Sequence, residues 1–159
     1  MYPSDITDIT RLSAELVLQN ASLFDSAGAD VVFLLARVLF GAVIAFTGLN
    51  HFLNAETMVG YAGAKGIPAP NLAVPFSGGL LLFGGLGIVL GVFPTLAAGA
   101  IAVFLLVATP TMHDFWAAPA EEQMTEMTQF LKNVALLGTA LGFLVVSQTP
   151  WPLAVGVGL

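Results

Sequence analysis

Residues 66–112 read GIPAPNLAVPFSGGLLLFGGLGIVLGVFPTLAAGAIAVFLLVATPTM, and this stretch decides the fold because it carries no charged side chain. A helix that crosses a membrane needs about 20 apolar residues. The stretch is therefore long enough for two spanning helices and the turn that joins them. The sequence 92–95, VFPT, supplies the turn, because proline lacks the N–H that a helix interior requires and fits the first turn of a new helix.

The composition of the whole chain supports a membrane protein. Hydrophobic residues make up 57% of the 159 residues and charged residues only 9%, whereas a soluble domain averages about 25% charged residues. This balance excludes a water-soluble globule and a disordered chain. The net charge of −6 argues against binding to nucleic acid, because it repels phosphate. With no cysteine, the chain has no disulfide, thiolate metal site or thiol nucleophile.

The apolar stretches predict an all-α fold with four transmembrane spans in residues 31–147. Their connections are short, so neighbouring spans should run antiparallel, and we predict an antiparallel four-helix bundle. Such a protein is a multi-pass integral protein of the cell membrane, with the lipid bilayer as its first partner. The four predicted spans are 31–52, 72–93, 95–112 and 130–147.

The two ends of the chain differ from this core. In residues 1–30, apolar side chains recur at helical spacing between charged ones, which predicts an N-terminal amphipathic helix at the membrane surface or against the bundle. The tail, 148–159, is too short to span. Trp151 lies between two prolines there and is predicted to anchor the tail at the interface.

Glycines recur along the predicted spans. Gly87 and Gly91, like Gly138 and Gly142, match the small-xxx-small pattern that lets two helix backbones approach closely. We expect these pairs to pack helices within one bundle. The alternative is a seam between two copies in a homo-oligomer.

Four spans bring most of the polar residues of the core to one membrane face. The first span ends there with His51, the third ends there with His113, and the fourth begins there with Lys132 and Asn133. One interpretation is that these side chains only form hydrogen bonds with water and loop carbonyls at the interface. The more specific interpretation is a shallow pocket for a polar headgroup. A neutral imidazole both donates and accepts a hydrogen bond, and this suits proton transfer with a quinone. The histidines lack the ligand spacing of a metal site, so no metal is expected.

Arg37 is the one charged residue well inside a span, and intramembrane charges are functional candidates. It precedes His51 by 14 residues, or about 21 Å of helix, so it belongs to the opposite membrane face. We expect its side chain to reach the interface by snorkelling or to serve as a hydrogen-bond hub or anion contact. Asp30, Ser147 and Gln148 are its expected companions.

Several motifs in residues 33–147 together resemble the DoxX family. They comprise LAR at 35–37 with Gly41, GLNHF at 48–52, Tyr61, the GIPAP loop at 66–70, GGLG at 84–87, His113, and FLKNVALLG at 130–138. The resemblance implies a four-helix membrane protein and, for a few members, a small subunit that exchanges electrons with the quinone pool. Arg37, His113, Lys132 and Asn133 fall on the polar positions of the family. Many relatives carry an acid where this chain has LLF at 81–83, so a relay through that acid is not implied here.

These observations support two functional hypotheses. In the first, the chain is a quinone-associated redox component, an oxidoreductase subunit whose headgroup site is formed by His51, His113, Lys132 and Asn133. It carries no covalently bound cofactor of its own, so its electrons would come from a partner subunit that holds one. In the second, it is a non-catalytic membrane scaffold or assembly subunit, and the same residues hold helix ends together.

Overall fold

The computed structural model describes residues 9–12 and 23–158, and the described chain is helical. Four of its helices are long and apolar enough to cross a membrane: Ala29–Leu53, Pro70–Leu90, Pro94–Met112 and Ala120–Val146. The described residues contain no β-strand, only one isolated bridge between Val92 and Val157. The predicted all-α membrane protein with four spans is confirmed. The helices are α1 (Ala29–Leu53), α2 (Ala55–Ala64), α3 (Pro70–Leu90), α4 (Pro94–Met112) and α5 (Ala120–Val146).

The residues next to the helix ends explain where the spanning helices begin and stop. α3 stops at Leu90, short of the predicted residue 93, because Gly91 adopts a left-handed φ of 66° and caps the helix. α5 begins at Ala120, ten residues before the predicted start of the fourth span. Pro119 precedes its first turn, and that turn contains Glu121 and Glu122, whose negative charges offset the positive end of the helix dipole.

A short helix, α2, lies between the first two spans, where the sequence suggested a loop. Its 10 residues are too few to cross a membrane. Gly66 follows it with a φ of 75°, a conformation that glycine adopts without strain. The helix lies against α3, and it brings Tyr61 to the end of α4, where the tyrosine hydroxyl reaches the carbonyl oxygen of Met112.

Glycine allows α1 and α3 to pack backbone against backbone. A Cβ on Gly41 would lie 2.6 Å from the carbonyl oxygen of Gly85, and one on Gly48 would lie 2.7 Å from that of Gly78. Both distances are far below van der Waals contact, so no larger residue fits. Residue 41 of α1 therefore faces residue 85 of α3, and residue 48 of α1 faces residue 78 of α3.

The two small-xxx-small pairs behave differently. A Cβ on Gly87 would lie 2.7 Å from that of Ala97 in α4, so Gly87 packs two helices of the same chain, as expected. Gly91 caps α3 instead. The expectation that Gly138 and Gly142 pack helices within the bundle is wrong, because a Cβ on either would meet nothing within 4 Å. The seam between two copies stays a prediction.

The hydrophobic core extends along the spans as far as the last turn of α3 and the tail. Its fully buried side chains include Leu81, Ile88 and Ile101. α5 joins it through Phe143, whose ring centroid lies 5.3 Å from that of Phe40 in α1 and 5.7 Å from that of Trp151 in the tail. The antiparallel arrangement of all four spans stays a prediction. So does the N-terminal amphipathic helix, of which residues 9–12 are helical and exposed, while residues 1–8 and 13–22 lie outside the described part.

The tail turns back over the ends of α3 and α5. The Val155 N–H donates to the carbonyl of Leu90 at 2.9 Å, and the Phe93 N–H donates to that of Val157 at 2.8 Å. The indole N–H of Trp151 donates to the carbonyl of Val146 at 3.0 Å. Trp151 is only 7% exposed, so it holds the tail to the helix ends through protein contacts.

Candidate functional site

Arg37 is fully buried and donates hydrogen bonds to the backbone at one end of the spans. Its Nε lies 3.0 Å from the carbonyl oxygen of Ile88 and its Nη2 2.7 Å from that of Val89, both in the last turn of α3. Its Nη1 lies 2.8 Å from the carbonyl oxygen of Pro152 and 3.4 Å from that of Leu153 in the tail. The guanidinium therefore joins three parts of the chain.

This arrangement suits a buried cation because carbonyls at the end of a helix have no partner within the helix and carry the negative end of its dipole. The guanidinium carbon also lies 5.3 Å from the ring centroid of Trp151, within the range of a cation–π contact. The expectation that Arg37 snorkels to the interface is wrong, since carbonyls already satisfy it inside the protein. The expected companion Ser147 contacts Thr95 instead, at 2.9 Å between the two hydroxyls.

A cavity of about 300 Å³ lies at the opposite end, where α1 finishes and α2, α3 and α4 converge. Most of its wall is apolar, from Met58, Val74 and Phe104 among others. Polar side chains enter this wall at His51, Tyr61, Ser77 and Thr111. An apolar pocket with a few polar groups is the usual form of a small-molecule site.

His51 lines the cavity and has one ring nitrogen to which no described residue bonds. Its Nδ1 lies 2.8 Å from the carbonyl oxygen of Thr47, and a carbonyl can only accept, so Nδ1 carries the hydrogen. In the neutral ring Nε2 is then an acceptor, and no side chain or backbone group of the described residues bonds to it. His51 can thus accept from a hydroxyl or, once protonated, donate to a carbonyl.

Tyr61 and Glu126 connect this cavity to His113. The Tyr61 hydroxyl lies 3.1 Å from the carbonyl oxygen of Met112 and 3.5 Å from Oε1 of Glu126. His113 Nδ1 lies 2.8 Å from Oε2 of the same carboxylate. Burial, and then the negative charge of Glu126, raises the pKa of Tyr61, so its hydroxyl keeps its proton at neutral pH and remains a donor.

An ion pair next to Tyr61 joins the ends of α2 and α4. Lys65 Nζ, just beyond α2, lies 2.6 Å from an Asp114 carboxylate oxygen, two residues beyond α4. The hydrogen bond between them lowers the pKa of Asp114 and raises the pKa of Lys65. Both groups are charged at neutral pH and hold α2 to the end of α4.

The four residues predicted to share a headgroup site fall in different places. His51 lines the cavity, and His113 is linked to its wall through Glu126 and Tyr61. Lys132 is exposed and donates to the Gln129 side chain of its own helix. Asn133 is half-buried and, like Lys132, is absent from the cavity lining.

Sequence reasoning missed two parts of the site. Glu126 was not among the predicted site residues, although it precedes Asn133 by seven residues and thus shares its helix face. Tyr61 entered only through the family motif, because α2 was not foreseen. A spacing of four residues between Tyr61 and Lys65 is the one local signal that puts them on one side of a helix.

Metal ligation has no support in the described residues, because they contain no group of three or more His, Asp or Glu side chains that could hold an ion. The sequence model of the DoxX family matches residues 32–114. The chain belongs to the DoxX family.

The match to the DoxX family covers Arg37 with its carbonyl partners in α3, the His51 cavity and His113. It ends at Asp114, so the tail carbonyls of Pro152 and Leu153 lie outside it. Glu126 and the run 130–138, quoted above among the family motifs, lie outside it. No curated protein and no solved structure matches this DoxX protein significantly.

Proposed function

We propose that this DoxX protein is a quinone-associated redox component of a membrane complex, and that its His51 cavity binds the quinone headgroup. The observation that carries the proposal is the unpaired Nε2 of His51 at a cavity of about 300 Å³ whose wall is otherwise mostly apolar. A quinone headgroup matches this wall, because it is a flat apolar ring with an oxygen at each end.

The polar groups of the cavity fit both redox forms of a quinone. A quinone carbonyl accepts a hydrogen bond from protonated His51, or from Tyr61 once its hydroxyl turns away from the carbonyl of Met112. A hydroquinone hydroxyl donates to neutral His51 or to the Tyr61 oxygen. Thr111 already donates to the carbonyl of Val107 at 2.8 Å, so its hydroxyl oxygen is left as an acceptor.

The contacts behind Tyr61 support proton exchange. Reduction of a quinone to a hydroquinone takes up two electrons and two protons. The electrons would come from a cofactor held by a partner subunit, since the proposal assigns no redox group to this chain. The protons would pass through His51 and through the Tyr61, Glu126 and His113 side chains, which contact one another in that order.

A binding titration tests the headgroup site. We expect His51→Leu and Tyr61→Phe each to weaken binding of a short-chain ubiquinone or menaquinone analogue to purified protein about tenfold, the loss of one hydrogen bond of about 1.4 kcal/mol. Lys132→Ala is the matched control, because Lys132 lies outside the cavity lining and should leave binding unchanged. Unchanged binding in both cavity variants, with folding intact, would discard the headgroup site.

We also infer that the four spans form the antiparallel bundle that places His51 and His113 on one membrane face. In support, residues at the end of α4 contact early residues of α5, as between His113 and Glu126, while Thr95 at the start of α4 contacts Ser147. The chain has no cysteine, so single cysteines can be introduced and labelled. Asn54→Cys and Ala117→Cys should label from the same side, and labelling from opposite sides contradicts the bundle.

One observation favours the scaffold as a second candidate. Although α5 has 27 residues, only Ala140 and Phe143 are buried, and its outer surface combines exposed Leu131 and Val134 with the charge of Lys132. Such a surface suits a partner subunit as well as lipid. Purification in mild detergent separates the two candidates: a flavin- or haem-bearing partner supports the redox role, and a cofactor-free partner supports the scaffold.

A further inference from the structure

A second concavity, of about 720 Å³, runs along the outer side of α3 and α4. Its lining consists of apolar side chains and glycines. Gly84, Gly87 and Ala97 are buried and contribute almost no side-chain volume, whereas Phe76 and Phe83 are 69% and 73% exposed and stand beside them. The result is a groove with a floor of small residues and aromatic edges.

This groove continues the His51 cavity. Phe76 and Leu80 line both. On α4, the groove ends at Ala100 and the cavity begins at Val103, which is about one helical turn away. The two concavities therefore follow the same seam between α3 and α4, with the polar groups at one end only.

We propose that the groove holds the apolar tail of the ligand whose headgroup occupies the His51 cavity, which makes that ligand a long-chain prenyl quinone. The inference rests on the proposed headgroup site and adds the substrate class. From Gly79 to Leu90 the groove follows α3 over 12 residues, a rise of about 17 Å along the helix axis. A short-chain, water-soluble quinone would leave most of this length of the groove empty.

The preference for a long chain must come from fit. A tail that leaves the bilayer for the groove moves between two apolar surroundings, so it gains little from the hydrophobic effect and depends on van der Waals packing. The glycine floor lets a chain approach the α3 backbone, and the phenylalanine edges supply contact area. A bilayer acyl chain in the groove would gain the same contacts, but it would bind independently of the headgroup.

Gly79 offers a way to fill the groove without disturbing the fold. It lines the groove, and a Cβ built on it meets nothing within 4 Å, so Gly79→Leu should place its side chain in the open space. Gly99→Leu is the matched control: Gly99 also lies in a spanning helix with nothing within 4 Å of its Cβ, but it is absent from the groove lining. Both changes raise helix propensity equally.

The experiment compares the Kd of a ubiquinone that carries four isoprene units with that of one that carries a single unit. We expect the wild type and Gly99→Leu to bind the long-chain form about fivefold more tightly, as a packing preference allows, and Gly79→Leu to bind both forms equally. Equal affinity for both quinones in the wild type, or an unchanged ratio in Gly79→Leu, overturns the tail groove. Either result differs from failure of the headgroup site, in which His51→Leu would leave the affinity for the single-unit quinone unchanged.

Discussion

His113 Nδ1 lies 2.8 Å from Oε2 of Glu126, and this contact joins the end of α4 to the first half of α5. The second oxygen of the carboxylate faces the Tyr61 hydroxyl at 3.5 Å, so one side chain connects three helices at one end of the protein. The Glu126 side chain is only 14% exposed, which makes the carboxylate costly to leave without partners.

We expect Glu126→Ala and His113→Ala each to lower the free energy of unfolding by about 1–2 kcal/mol, because each leaves the other partner half-buried without its hydrogen bond. The double variant should lose less than the sum of the two, with a coupling energy of about 0.5–1.5 kcal/mol. Denaturation in mixed detergent micelles measures both quantities. Strict additivity would mean that the two side chains do not act as a pair.

Arg37→Met should destabilise the protein by about 3 kcal/mol or more. The change leaves the carbonyls of Ile88, Val89 and Pro152 away from water and without a hydrogen-bond donor. Arg37→Lys should restore less than half of the loss, since one ammonium cannot imitate the planar fork of a guanidinium. The tail should also detach, which limited proteolysis near Trp151 would reveal. Full stability in Arg37→Lys would show that charge alone, without the fork, holds this end together.

The Lys65–Asp114 pair should make stability depend on pH. The pKa of Asp114 is lowered on folding, so the aspartate stabilises the native state above its ordinary pKa of 3.8 and loses this effect as the pH falls below it. The pKa of Lys65 is raised, so its contribution is complete below 10.5 and is lost as the pH rises further. Thermal unfolding should therefore show a plateau between these limits.

Asp114→Asn tests this dependence. The variant should have a lower thermal midpoint than the wild type on the plateau, and the difference should shrink as the pH falls below 3.8, where the wild type loses the same charge. Lys65→Met should reproduce the profile because it removes the other half of the pair. A wild-type acid limb that persists unchanged in both variants would assign it to other carboxylates.

The close glycine contacts between α1 and α3 should tolerate no larger side chain. Gly48→Ala is expected to cost at least about 2 kcal/mol, because the new methyl group collides with backbone atoms that cannot move aside. Gly142→Ala is the control and should be neutral or stabilising by up to about 1 kcal/mol, since its Cβ enters open space. A loss of oligomers in Gly142→Ala alone would instead indicate the seam between two copies.

The spans could be predicted from sequence because bilayer thickness sets the length of an apolar helix, and Pro94 marks the turn between α3 and α4. The cluster of polar groups at one end was predicted in part, since four antiparallel spans would bring His51 and His113 to one face. The partners of Arg37 could not be predicted. They are backbone carbonyls of α3 and of the tail, and a carbonyl has no signature in a sequence.

The rest of the site could not be predicted because it depends on α2, a helix whose hydrophobic pattern is weak. α2 contains four small residues in its last five positions, so its hydrophobic pattern does not separate it from a loop. Without α2, nothing in the sequence places Tyr61 beside Met112 or Glu126. Lys132, which looked like a site residue from its position in the fourth span, instead bonds to Gln129 on the surface of α5.

Photolabelling with an azido-ubiquinone probes the quinone site in the His51 cavity, because it records where the headgroup lies. The labelled peptides, identified by mass spectrometry, should contain the cavity residues Met58, Tyr61 and Met112, and an excess of unmodified ubiquinone should suppress the label. His51→Leu should reduce labelling at all three. Labelling confined to the α5 surface around Lys132, or labelling that excess ubiquinone does not suppress, would contradict the quinone site.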